Sequence, residues 1–235
     1  MKNLAFIPAR KGSKRFSGKN RRKLAGRTIV QRAIDSAIQS GQFADIVLST
    51  DDEVIISSCS EYDNLIIDER KSELASDTAT VLQALLNLFD SWNVENNVYD
   101  TVTILLPTCP FRNSEHIKEG FALLGDDIDA VISVVEYDFP WAMSLSMAEN
   151  NELLPKLDPS PLATGNTRSQ DREKVYHPNG GFYISRWSSL IKYRNYFKGK
   201  LKGYVMDEYH SADIDTEIDY LKALLYIKEG LINKL

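Results

Sequence analysis

The sequence predicts an α/β protein: one domain over residues 1–235, built on a mostly parallel sheet with helices on both faces. Three observations carry this expectation. Apolar runs of strand length alternate along the chain with longer segments of helical period. The first such run, Leu4–Pro8, opens directly into a glycine-containing basic loop, and strand ends of this kind are where open parallel sheets bind ligands. Composition is that of a globular chain, 43% hydrophobic and 26% charged over 235 residues, enough to bury a substantial core.

The loop is the most informative stretch. Gly12 and Gly18 allow sharp turns and close approach to a ligand, and successive free N–H groups in such a turn form an anion nest. Arg10, Lys11, Lys14, Arg15 and Lys19 add full positive charge. This chemistry suits a polyphosphate; the plainer alternative is a solvated basic loop. It is neither of two standard phosphate loops. Five residues separate Gly12 from Gly18, and Asn20 stands where a Walker A loop needs a metal-binding hydroxyl. The Gly-x-Gly-x-x-Gly dinucleotide pattern is absent as well.

After the loop, Thr28–Ser40 has helical spacing of apolar residues and a stop at Gly41. Ile46–Thr50 is a strand ending in Asp51-Asp52, which opens a helix through about Tyr62 and puts Asp51 on the same rim as Arg10. Leu65–Ile67 is a short strand. Ser76 or Asp77 is the expected N-cap of a helix whose buried stripe is Val81, Leu82, Leu85, Leu86 and Phe89. Thr101–Leu106 is a β-prone run ended by a rigid turn with Pro107 and Pro110. Cys109 in that turn is read as a small buried residue rather than a nucleophile.

Asp129–Val135 is a further strand. From Glu136 to about Gly180 prolines interrupt the pattern while aromatic, Met and Leu residues persist, so 136–180 is expected to leave the sheet as a dimerisation arm. Phe182–Ile184 and Tyr204–Met206 are the last strands. In an extended chain Asp213 and Asp215 point the same way, as two magnesium ligands would. Alternatively, Asp215 or Thr216 merely caps a closing helix with Ile218, Leu221, Leu224 and Leu225 on its apolar face.

Charge distribution narrows the function. Residues 1–34 hold eleven Lys/Arg and no Asp/Glu, while the other 17 basic and 33 acidic residues lie beyond, so +11 and −16 give the net −5. Concentrated positive charge on an acidic body of pI near 5.3 suits a small anion such as a nucleotide, not a nucleic acid. No apolar run reaches the ~18 residues of a membrane span, and the first meets the basic loop too soon for a signal peptide. Cys59 and Cys109 suggest no disulfide framework. A cytoplasmic enzyme without membrane association is expected.

Ile7–Lys14 with Lys19-Asn20 resembles the signature loop of the acylneuraminate cytidylyltransferases, or CMP-acylneuraminate synthetases. The likeness continues in order at Arg70 with Glu73–Thr78, at Pro107–Arg112, at Pro178–Tyr183 and at Asp213–Glu217. The resemblance implies a Rossmann-like three-layer α/β/α nucleotidyltransferase with a mostly parallel sheet and a protruding dimerisation arm. It implies transfer of CMP from CTP to the anomeric 2-hydroxyl of a sialic-acid-like 2-keto sugar acid, with release of pyrophosphate. Arg10, Gly12, Ser13, Lys14, Lys19 and Asn20 would hold CTP, and Arg70, Ala79 and Thr80 would read cytosine. Arg10, Lys19 and Asp215 would be catalytic, and Asp213 and Asp215 would bind Mg2+. Leu106, Thr108, Arg168, Gln170, Arg172, His177, Asn179 and Tyr183 would meet the sugar, although the arm residues also read as ordinary surface charge. Departures from the family pattern are Leu106 for Gln, Cys109 for Ser, His177 for Arg and Val81 for Ser, and the first three bear on which sugar is accepted. Legionaminate, another di-amino nonulosonate and 3-deoxy-octulosonate are alternative substrates. A non-catalytic nucleotide- or RNA-binding protein is the alternative from another class.

Overall fold

A computed structural model describes residues 1–76, 79–92, 98–166, 168 and 173–232. Strand β1 (Asn3–Pro8) leads into the basic loop and a 3-10 turn at Lys19–Arg21. A small hairpin, β2 (Lys23–Leu24) with β3 (Arg27–Thr28), delivers helix α1 (Ile29–Ser40). Then follow β4 (Asp45–Thr50), α2 (Glu53–Ser58), β5 (Leu65–Glu69), α3 (Val81–Ser91), β6 (Thr101–Ile104), α4 (Ser114–Ala122) and β7 (Ala130–Glu136). A second hairpin, β8 (Leu145–Met147) with β9 (Leu153–Pro155), and the short α5 (Pro161–Thr164) precede β10 (Tyr176–Arg186). Helix α6 (Trp187–Tyr193), β11 (Leu201–Val205) and α7 (Glu217–Lys228) complete the described elements.

The main sheet has the order β11-β7-β10-β6-β1-β4-β5. β1 runs parallel to β4 and β6, β4 to β5, and β11 to β7, while β10 is antiparallel to β6. Two compact units result: Met1–Val134 with Pro178–Leu235, and Val135–His177.

Alternation along β1 divides the core. Ala5 and Ile7 face one side and pack with Val30, Ala33, Ile34 and Ala37 of α1 and Ile117 of α4. Leu4 and Phe6 face the other and pack with Leu85 and Leu88 of α3 and Trp187 and Leu190 of α6. Side chains two apart share a face, so one buried strand feeds both helical layers. α1 begins where the Thr28 hydroxyl and the Gln31 side chain form a reciprocal capping box, and it ends at Gly41 with φ 63°.

Two expectations fail. α3 is capped by Thr80 with Gln83, not by Ser76; Asp77 lies outside the described residues. A complete capping box at Thr80 satisfies two amides where a lone Ser satisfies one. In α7 the face expected to be buried is exposed: Ile218, Leu221, Leu224 and Leu225 all remain accessible. Ala223 is the buried residue there, with Tyr220, Tyr226 and Ile227 packed alongside. A small residue lets this helix approach closely, so its aromatic side wins over its aliphatic one.

That packing joins the ends of the chain. Phe16 from the basic loop, Ile29, Phe111, Ile214 and Ala223 form a third buried cluster. Burying a side chain such as Phe16 or Ile214 contributes on the order of 1.5–3 kcal/mol.

Candidate active site

The basic loop is held from below. The Asn20 amide donates to the Arg10 carbonyl at 2.9 Å and the Thr50 hydroxyl donates to Ala9 O at 2.5 Å. The Lys11 N–H donates to the Asp51 carboxylate at 2.6 Å, so Asp51 stands on the expected rim. Gly18 adopts φ 63°, a left-handed turn that Gly takes without a Cβ penalty. Gly12 does not need a positive φ, but a Cβ there would meet nothing within 4 Å, leaving the space above the loop open. Arg21 grips Asp52 through two bonds of 2.7 and 2.6 Å, and Asp52 also caps α2. Burial alone would raise the Asp52 carboxyl, but Arg21 and the amides of Val54 and Ile55 outweigh it and hold it below its ordinary value.

The acidic pair arrives from the other end. Ile214, buried between the two carboxylates, donates its N–H to Thr108 O at 2.8 Å. Thr216, not Asp215, caps α7, through a box with Asp219. Lys19 Nζ meets Asp215 Oδ1 at 2.7 Å, and Arg15 Nη2 meets Asp215 Oδ2 at 2.7 Å. Burial, and less strongly the charge of Asp215, raise the Asp213 carboxyl, with Thr108 and Lys19 opposing the shift. Asp213 and Asp215 flank Ile214, whose backbone is fixed on the Thr108 turn.

A divalent cation is tested by that donor set. Among the described residues no group of three or more His, Cys, Asp or Glu is arranged to hold a metal. Two neighbouring carboxylates fit Mg2+, which takes one or two from a protein and the rest from phosphates and water.

The turn expected to read cytosine also reaches the loop. Arg10 Nη1 donates to Ser76 O at 3.0 Å, and Ala79 N–H bonds back to Ser76 O at 3.3 Å. Thr80 spends its hydroxyl on the α3 cap. Arg70 is held beneath by Ser49, through Oγ at 3.1 Å and the carbonyl at 3.0 Å. Ser13 is half-buried and Lys14 exposed on the loop.

On the expected sugar side, Leu106 is partly buried and lies against Gly180, which has φ 76°. Tyr183 stacks on Tyr196 with centroids 4.9 Å apart. Asn179 is buried with its amide engaged by Ser133, Gly181 and Ser211. Cys109 is fully buried, and burial pushes its thiol up to about 12. In the second unit His177 stacks on Tyr137 at 4.6 Å and Arg168 is exposed. Gln170 and Arg172 lie outside the described residues. Sequence reasoning missed Ser49 under Arg70 and the bidentate Arg21–Asp52 pair; the second acidic residue of the Asp51-Asp52 rim was the available signal.

Residues 4–208 match the cytidylyltransferase family. The chain is 31% identical over 227 residues to a pseudaminic acid cytidylyltransferase of Campylobacter jejuni, covering 95% of this chain and 96% of the relative. It is also 31% identical to a CMP-N,N'-diacetyllegionaminic acid synthase of Legionella pneumophila, covering 94% of each. Against an N-acylneuraminate cytidylyltransferase of Streptococcus agalactiae the identity is again 31%, but the chain spans only 53% of that relative's length. A solved CMP:2-keto-3-deoxy-manno-octonic acid synthetase, complexed with CTP, shares the fold with TM-score 0.69, 16% identity and coverage of 98% and 100% of the two chains. The matched family spans most of the chain, including the basic loop and the rim turns, and this protein belongs to the cytidylyltransferases.

Proposed function

We propose that the chain transfers CMP from CTP to the anomeric 2-hydroxyl of a sialic-acid-like 2-keto sugar acid. The hydroxyl oxygen forms a bond to the α-phosphorus as the bond from that phosphorus to the bridging oxygen breaks, and pyrophosphate leaves. The observation that carries the reading is the meeting of Lys19 with Asp215 at 2.7 Å beside Asp213. Arg10, Lys14 and Lys19 neutralise the triphosphate, and the loop amides and Asn20 fix its path. Arg70 and the Ala79-Thr80 turn read the base. Asp213 and Asp215 would hold Mg2+, which when bound would supply charge neutralisation to the phosphates. Both Asp215 oxygens contact loop cations, so Asp215 accepts the hydroxyl proton only after yielding one of them.

The names of the relatives support a nonulosonic acid as acceptor. At the position that the resemblance assigns to the sugar, Leu106 cannot pair a sugar hydroxyl, which favours an acyl or methyl group there, as on a di-amino nonulosonate. Thr108, Asn179 and Tyr183 complete the proposed acceptor set. Exposed Tyr137, Phe139, Trp141, Met147 and Leu153 support a homodimer formed through the second unit, with the enzyme acting in the cytoplasm.

A panel of nonulosonic and octulosonic acids with CTP and Mg2+ tests the proposal by pyrophosphate release and formation of the CMP-sugar. A di-amino nonulosonate is expected to give the highest kcat/KM. CTP binding that persists without Mg2+, with no acid triggering release, would instead mark a non-catalytic nucleotide binder.

A further inference from the structure

Arg112 is 3% exposed, and among the described residues it makes no ion pair. An isolated buried charge is costly unless its donors are fully used. Here they are spent on three separate elements. Nη1 donates to Gly181 O of β10 at 2.7 Å and to Leu106 O, just past β6, at 3.2 Å. Nε and Nη2 each approach Ser36 Oγ of α1 at 3.3 Å. The planar fork thus ties the rim turn 106–112 to the sheet and to a helix at once.

What hangs from that turn is the acidic pair. Thr108 O accepts from Ile214 N at 2.8 Å, which fixes the residue between Asp213 and Asp215. The Cys109 thiol donates to His210 O at 3.4 Å, pinning the approach to the same segment. Pro107 and Pro110 stiffen the turn but provide no N–H to anchor it.

We infer that Arg112 is a positioning residue for the proposed transfer, setting Asp213 and Asp215 against the basic loop through the Thr108 turn. The inference rests on the proposed function, but its first readout does not need turnover. In Arg112→Met, Mn2+ affinity measured by electron paramagnetic resonance is expected to fall about tenfold. kcat is expected to fall about 10- to 100-fold with KM for CTP within about threefold, because the nucleotide loop is not tied to Arg112. Ser36→Ala, which removes the α1 acceptor of the Arg112 fork, is expected to weaken Mn2+ in the same direction with an unchanged melting temperature, and decides the matter should Arg112→Met fail to fold. Wild-type Mn2+ affinity in Ser36→Ala, or a folded Arg112→Met whose CTP KM rises as much as its kcat falls, would overturn the inference. A wild-type enzyme inert toward every sugar acid would sink the proposed function while leaving the Mn2+ comparison readable.

Discussion

Lys19 and Asp215, 196 residues apart in sequence, are in contact at 2.7 Å. The contact is not a loose surface pair: the Lys19 side chain is 14% exposed, and Phe16 and Ile214 are buried in one cluster beside it. Hydrophobic burial brings head and tail together, and the charges decide what the junction does. Arg15 reaches the same carboxylate but is 67% exposed.

The two cations should therefore separate in function. Lys19→Met is expected to lower kcat for pyrophosphate release by about 10²–10³-fold, the usual effect of losing one preorganised charge donor. Arg15→Ala should change unfolding free energy by less than about 0.5 kcal/mol, since exposed pairs contribute little. Lys118→Ala, on an exposed turn of α4, serves as the neutral control in both measurements.

The Arg21–Asp52 pair predicts an acid-dependent stability difference. Its folded carboxyl lies below the ordinary value, so the stabilisation is complete above the unfolded pKa of about 3.9 and is lost as pH falls through the folded one. Asp52→Asn should cost about 2 kcal/mol in urea titrations at pH 7, with the gap to wild type closing below about pH 4. A gap that widens in acid would contradict the assignment.

Cys109 is expected to be chemically silent. A thiol pushed up to about 12 carries almost no thiolate near neutrality, and the side chain has no exposed surface. Iodoacetamide at pH 8 should label it only after denaturation, and Cys109→Ser should keep kcat/KM within about threefold.

Much of this was legible in the residues, and the failures have physical causes. The Thr28–Ser40 helix could be read because a cap, a helical stripe and Gly41 agree. The basic loop and the Asp213–Asp215 pair stood out because charge and spacing are local properties. The face of α7 was misread because the helix carries two apolar stripes, and spacing cannot say which one meets Phe16. The α3 cap was misplaced because Ser76 and Thr80 are both good caps, and only backbone geometry chooses. Arg112 was seen as part of a motif, but its acceptors on α1 and β10 are 76 and 69 residues away and left no sequence signal.

The central claim is that the basic head and the acidic tail act on one CTP. The direct measurement is pyrophosphate release by Asp215→Asn alongside its CTP dissociation constant, in Mg2+ with the best sugar acid. The account predicts release at least about 100-fold slower, with CTP affinity within about fivefold of wild type. Release at the wild-type rate would contradict it.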